Sequence, residues 1–109
     1  MFKTLNSKSN FLAIDEKYSE LENSRIVILP VPYESTTSYG KGTEFGPKGI
    51  IDSSAFVEFY DDEFDRELCF DLGIATVEPI DFLGKKDKVA IELISENVSK
   101  LIEMNKFVV

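Results

Sequence analysis

The sequence predicts an α/β protein organised around a parallel sheet. Residues 26–29 form a short, continuous β-branched run, which is typical of a strand that is buried on both faces. Residues 88–105 carry apolar side chains at helical spacing, and a second apolar run follows at 107–109. Strand and helix patterns that alternate along a chain favour a parallel sheet covered by helices. The 109 residues suffice for one small domain or for part of a larger one.

The first half of the chain is predicted to hold an arm, a strand and a long loop. Residues 1–24 are polar and mixed, and we expect an extended arm before a domain that covers residues 25–109. Pro30 and Pro32 end the first strand, because proline lacks the N–H that a ladder requires. The loop at 33–46 is rich in glycine and hydroxyl residues, and a loop of this length is often functional.

The second half is predicted to contain two helices and two further strands. Proline at position 47 suits a first helical turn, and we expect that helix to run to about Tyr60. A short strand is predicted at 74–77, and the 88–105 helix places Glu96 and Lys100 for an i,i+4 ion pair. Residues 107–109 then begin a strand that we expect to be cut short, since a crossover helix normally delivers a full parallel strand.

Composition excludes several classes of function. The sequence has no histidine, which removes histidine general-base catalysis and every histidine-ligated metal site. A net charge of −8 argues against binding to nucleic acid or to an anionic membrane. No apolar run approaches the roughly 20 residues needed to span a bilayer. The single cysteine, Cys69, cannot form an internal disulfide and favours a reducing, cytoplasmic setting.

Most motifs that suggest chemistry have a simpler structural interpretation. The glycine cluster at 40–46 lacks the spacing of phosphate-binding loops and predicts a shaped loop or a turn. The acidic segment at 61–67 has Arg66 where a calcium loop requires glycine, so a solvated turn fits better. Cys69 lies between apolar neighbours and is expected to be a buried structural thiol. Tyr33, Tyr39 and Phe45 could line a pocket or pin the loop to the sheet, and both interpretations stay open.

Four segments of the chain resemble the arginase–agmatinase (ureohydrolase) family. Residues 26–36, with Pro-x-Pro-Tyr-Glu-Ser-Thr, are similar to the family's first strand and following loop, and Gly-Thr-Glu-Phe-Gly-Pro at 42–47 continues the match. Asp-Leu-Gly at 71–73 resembles the next landmark, and the helix at 90–101 resembles the one before the first metal-binding strand. The resemblance is strongest to agmatinases and covers about residues 25–109. It implies the opening part of a three-layer, parallel-sheet ureohydrolase fold that is incomplete in this chain.

The resemblance also implies an activity. Family members hydrolyse a guanidino C–N bond, as in agmatine plus water giving putrescine and urea, and use two Mn²⁺ to generate a hydroxide. Their metal ligands come from a Gly-Gly-x-His-Ser turn and later Asp/His clusters, so no catalytic residue or metal ligand is expected here. The expected partners are a small cationic guanidino substrate and further copies of the chain, with no nucleic acid and no membrane. The substrate-loop candidates are Tyr33, Glu34, Tyr39 and Glu44, which follow the carboxyl end of a buried strand.

Two alternatives remain open at this point. A stand-alone, non-catalytic α/β protein could act through association, and a nucleotide-binding module is disfavoured by the glycine spacing. We expect the 109-residue chain alone to be catalytically inert and to bind Mn²⁺ weakly. We also expect it to associate, since the unfinished strand at 107–109 would expose an edge and leave the strand at 26–29 short of a neighbour.

Overall fold

A computed structural model describes residues 2–36 and 39–109, and it confirms the α/β class. All three strands in this part of the chain are short, and each helix lies between two of them in sequence. The elements, in chain order, are β1 (Ile26–Ile28), α1 (Gly46–Ser54), α2 (Leu68–Leu72), β2 (Ile74–Thr76), α3 (Asp87–Glu103) and β3 (Phe107–Val108). Short 3₁₀ turns lie at Phe11–Ala13, Glu16–Tyr18 and Thr43–Phe45.

The sheet is fully parallel, and β1 is its central strand. The strand order is β2-β1-β3, with Ile26 opposite both Ile74 and Phe107. The expectation that β1 would be short of a neighbour is therefore wrong. Although β3 is brief, its backbone completes the pairing: the N–H of Val109 donates to the carbonyl of Val27 at 2.9 Å, and Leu29 donates to Val109 at 2.8 Å.

The two faces of the sheet are covered by different elements. On one face, Val27 and Ala75 are fully buried beneath α3, whose Leu101 belongs to the same apolar cluster. On the other face, Ile74 packs with Cys69 of α2 and with Ile14 of the arm. Successive strand residues point to opposite faces, so apolar side chains at consecutive positions require cover on both sides. The result is three layers: α3, the sheet, and the arm with α2.

The arm is folded rather than extended, which corrects the prediction for residues 1–24. Its two 3₁₀ turns flank Ile14, which is buried against the sheet. Asn10 is also buried, and its side-chain amide donates to the carbonyl of Ile14 at 2.9 Å while its oxygen accepts the N–H of Ile14 at 3.0 Å. Burial of the Ile14 side chain drives this compact form, and Asn10 satisfies the backbone that would otherwise be left unpaired.

The first helix ends earlier than predicted, and the structure contains one helix that was not predicted. The first helix was expected to reach about Tyr60, but α1 ends at Ser54. Beyond it, Val57 donates to the carbonyl of Ser54 at 3.1 Å in a tightened turn, and Phe56 faces solvent instead of the core. Aromatic and β-branched residues there have weak helix propensity. The five-residue α2 was not predicted, whereas α3 was, and its Lys100 and Glu96 form the expected ion pair at 3.1 Å.

Replacing Thr76 with valine is expected to lower the free energy of unfolding by about 1–3 kcal/mol. The hydroxyl of the fully buried Thr76 accepts the backbone N–H of Phe11 at 2.9 Å, and valine keeps the shape while removing that acceptor. Ser24→Ala is the matched control, because the buried Ser24 hydroxyl has no hydrogen-bond partner among the described residues. Urea titration followed by circular dichroism measures both variants. Equal losses in the two would contradict a specific role for the Thr76–Phe11 bond.

Candidate functional site

A cleft of about 630 Å³ opens at the carboxyl ends of β1 and β2. Pro30 and Pro32, which follow β1, form one part of its wall, and Ile80, which follows β2, forms another. The start of α1 contributes Phe45 and Pro47. Parallel α/β sheets place their ligand sites beyond this edge. The cleft is therefore the best candidate site in the part of the chain that the structure describes.

Tyr33 fixes the start of the long loop. Its ring packs against Phe82, with ring centroids 5.1 Å apart. Its hydroxyl accepts a hydrogen bond at 2.8 Å from the backbone N–H of Asp87, the first residue of α3. That N–H is one of the donors that a helix start leaves without an intrahelical partner. Tyr33 therefore pins the loop to the amino end of α3, while Phe45 lines the cleft.

Glu34, at the start of the loop, is hydrogen-bonded to residues near the end of the loop. One carboxylate oxygen of Glu34 accepts the backbone N–H groups of both Gly42 and Thr43, each at 2.6 Å. These bonds hold Glu34 against the 3₁₀ turn that precedes α1. Gly42 has φ +118°, a conformation that favours glycine, so the turn depends on that residue as well. We define the Glu34 side chain with its two N–H donors as the loop clasp.

The four predicted substrate-loop residues therefore lie in different surroundings. Tyr33 and Glu34 hold the loop in place, Tyr39 is 96% exposed to solvent, and Glu44 lies in the wall of the cleft. Their role in substrate binding stays a prediction. Asp81 also lines the cleft and was missed from the sequence. Asp81 follows β2, and residues beyond the carboxyl ends of parallel strands are candidates for a site. The sequence alone did not show that β2 runs parallel to β1 and ends at the same edge of the sheet.

The charged side chains around the cleft leave it net negative. Lys48 and Asp52 form an ion pair at 2.6 Å and offset each other. Glu44 and Asp81 make no ion pair with any residue that the structure describes. One oxygen of Asp81 accepts the N–H of Leu83 at 3.0 Å, which orients the carboxylate. The cleft therefore favours a cation over an anion.

Replacing Glu34 with alanine should open the loop clasp without unfolding the sheet. Hydrogen bonds to a charged group contribute about 1.5–3 kcal/mol, so amide exchange at Gly42 and Thr43 should accelerate about tenfold or more. The amide of Val27, in the central strand, should exchange as before. Hydrogen exchange followed by NMR makes the comparison, and Glu58→Ala, which removes an exposed carboxylate outside the loop, is the control. Unchanged protection at Gly42 would show that the clasp contributes nothing to loop order.

The described residues do not fit a two-metal centre. Among residues 2–36 and 39–109, no three His, Cys, Asp or Glu side chains lie close enough together to hold a metal ion. Cys69 is buried, and burial, helped by the nearby charge of Glu67, raises the pKa of its thiol. A thiol must ionise to bind a metal strongly, so Cys69 is a poor ligand at neutral pH. No catalytic step is assigned to a metal in this chain.

Among residues 2–36 and 39–109, no helix combines the length and the apolar character that crossing a bilayer demands.

Fold and cleft together define an α/β protein with a candidate ligand site at the carboxyl edge of a parallel sheet. The chain belongs to the arginase family, whose profile matches residues 24–109. It is 35% identical over 98 residues to an N(1)-aminopropylagmatine ureohydrolase of Synechocystis, covering 86% of this chain and 32% of that protein. It is 35% identical over 109 residues to an agmatinase of Bacillus cereus, covering 88% and 36%. A Thermus thermophilus N(1)-aminopropylagmatine ureohydrolase is 31% identical, covering 90% and 33%.

The chain thus spans about a third of the length of the curated relatives that it matches. No solved structure matches it significantly.

Proposed function

We propose that this chain is the N-terminal part of an agmatinase-like ureohydrolase that hydrolyses a guanidino C–N bond and releases urea. The observation that carries the proposal is the family match along residues 24–109. Agmatine is the favoured substrate and putrescine the second product, in keeping with the agmatinase and aminopropylagmatine ureohydrolase relatives. The proposal assigns the two Mn²⁺ ions to sequence that this chain does not contain, because its own donor set does not fit them.

Within that enzyme, the proposed role of this segment is to shape the site and attract the substrate. The loop clasp and Tyr33 hold the 33–46 loop beside the carboxyl edge of the sheet. Glu44 adds a negative charge in the cleft wall, which favours a cationic guanidino substrate over an anionic one. A cytoplasmic location belongs to the same proposal and rests on the single unpaired cysteine.

Association between copies is the second part of the proposal. Phe107 on the outer strand β3 is 69% exposed, Val109 just beyond it is 63% exposed, and α3 leaves Ile91 and Ile102 exposed. Exposed strand edges and apolar surfaces promote pairing between chains. This exposure also supports the second candidate function, a non-catalytic protein that acts by association. Light scattering on the purified chain tests association, and a strictly monomeric species with a sharp melt would contradict it.

A chimera tests the enzymatic proposal. Residues 1–109 would replace the matching segment of the Bacillus cereus agmatinase, so that the remaining two thirds of that enzyme supply the metal site. We expect the chimera to release urea from agmatine with Mn²⁺ present. The 109-residue chain alone should release none above a metal-only control. A folded, Mn²⁺-loaded chimera without activity would contradict the proposal, as would urea release by the chain alone.

The coding sequence beyond codon 109 gives an independent check. A Gly-Gly-x-His-Ser turn soon after Val109 would support the ureohydrolase. An immediate stop codon would favour the non-catalytic alternative.

A further inference from the structure

We infer that two surfaces at opposite edges of the sheet bind each other between copies of this chain. One is an exposed aromatic and acidic surface at residues 56–66, which we call the aromatic segment. The other is a basic surface at residues 83–89, which we call the basic turn. The inference deepens the association proposed above by naming the surfaces that meet, and it depends on no catalytic activity.

The aromatic segment carries apolar side chains that nothing in the described part of the chain covers. Phe56 is 90% exposed, and three further apolar side chains of the segment are also exposed: Val57, Tyr60 and Phe64. Apolar side chains that are exposed together mark interaction surfaces on proteins. Aromatic rings are frequent anchors of such surfaces, because they supply a large contact area with few rotatable bonds.

The backbone of the aromatic segment is held in one conformation. Asp61 and Arg66 exchange both of their backbone hydrogen bonds, at 3.0 and 3.3 Å. The carboxylate of Asp61 also accepts the N–H of Phe64 at 3.0 Å. Phe59 packs edge-on against Phe70 of α2, with ring centroids 5.4 Å apart. A preformed surface of this kind loses less conformational entropy when it binds a partner.

The two surfaces carry opposite charges. Residues 56–65 include five carboxylates and no basic residue. Asp62 and Glu63 are exposed and form no ion pair within the described ranges. The basic turn holds three lysines in four residues, of which Lys85 and Lys86 are exposed and form no ion pair there either. Complementary charges of this kind orient two surfaces and favour their association.

The fold separates the two surfaces, so their pairing requires a second copy. α1 begins at the cleft, and α2 leads into the start of β2, which places the aromatic segment at the amino edge of the sheet. The basic turn begins in the wall of the cleft, at the carboxyl edge, and there Leu83 and Val89 are exposed beside the lysines. Lysine stems and ammonium groups also pack well on aromatic rings. The basic turn of a second copy therefore fits the aromatic segment in both charge and apolar character.

Sedimentation velocity on the 109-residue chain, over a series of concentrations, tests the inference. We expect reversible association, and Phe56→Ser should weaken it about tenfold or more, because the ring would be an anchor of the contact. Phe107→Ser is the comparison, since it removes an exposed ring from β3, outside both surfaces, and should weaken association less. Circular dichroism melts show whether both variants fold like the parent.

Charge reversal gives a second test that does not depend on the rings. Asp62→Lys with Glu63→Lys moves the net charge of −8 towards zero, which on its own favours association. We expect the opposite result, a loss of about tenfold or more, because the new lysines would face the basic turn. Lys85→Glu with Lys86→Glu should weaken association as well. An equimolar mixture of the two double variants should restore it, since each supplies the charge that the other lacks.

Three results would overturn the inference. One is a strictly monomeric parent chain, and another is a mixture of the two double variants that does not associate. The third is association that depends on Phe107 and not on Phe56, which would assign the contact to the edge of β3 and leave the association proposed above in place. None of these results bears on the proposed hydrolysis, because the measurements use neither substrate nor metal.

Discussion

Replacing Gly73 with alanine is expected to destabilise the chain by about 2–4 kcal/mol. Gly73 joins α2 to β2 with φ +70°, a backbone conformation that side-chain-bearing residues rarely adopt. An added Cβ would lie 3.0 Å from the Cα of Ser24 and 3.1 Å from the carbonyl oxygen of Asn23. Those are backbone atoms, and the carbonyl of Gly73 accepts the N–H of Ile26 at 3.3 Å. Neither the backbone at 23–24 nor that at Gly73 can therefore move without disturbing the sheet.

Gly49→Ala is the matched control for this substitution. Gly49 lies inside α1, and nothing lies within 4 Å of the position that its Cβ would take. Alanine there should stabilise the chain by about 0.4–1 kcal/mol, since it restricts the unfolded state. Thermal and urea unfolding should therefore move in opposite directions for the two variants. A Gly73→Ala protein as stable as the parent would show that the 72–74 connection is looser than its geometry indicates.

Replacing Leu101 with alanine is expected to cost about 2–5 kcal/mol of unfolding free energy. Leu101 is fully buried in the cluster that joins α3 to Val27 and Ala75 of the sheet. Truncation removes its transfer free energy and leaves a cavity that neighbouring side chains fill only in part. The helix would keep its backbone bonds but lose its main attachment to the central strand.

The next residue along α3 supplies the control. Ile102 is 58% exposed, so Ile102→Ala should change stability by less than about 1 kcal/mol. The comparison uses the urea midpoints of unfolding, provided that the dependence of the unfolding free energy on urea concentration is the same for both variants. Similar losses at the two positions would mean that α3 is covered on its outer face too, for example by a second copy of the chain.

The predictable elements are those that a pattern of neighbouring residues in the sequence indicates. β1 carries a continuous apolar run and α3 carries apolar residues at helical spacing, so both were predicted from the sequence alone. The folded arm was not predictable, because its form depends on acceptors far along the chain: Thr76 for Phe11, and Ser54 for Leu12 at 2.8 Å. Periodicity carries no information about such long-range hydrogen bonds.

The candidate site shows the same division. The loop at 33–46 was recognised from its composition. The role of Glu34 as a hydrogen-bond acceptor within that loop was not predicted, because Gly42 and Thr43 approach it only in the folded structure. Asp81 looks like any surface aspartate in the sequence. Its place in the same cleft as Glu44 depends on the parallel packing of β1 and β2, which is a tertiary feature.

The central position of β1 has a consequence for the order of events during synthesis. Ile26 pairs with Ile74 and with Phe107, so the first strand to leave the ribosome finds both of its neighbours later. Such non-local pairing slows folding, because a long stretch of chain must be ordered before the contacts form. Until residues 107–109 emerge, one edge of β1 is exposed to other nascent chains. Translation speed and chaperone supply should therefore affect the yield of folded protein.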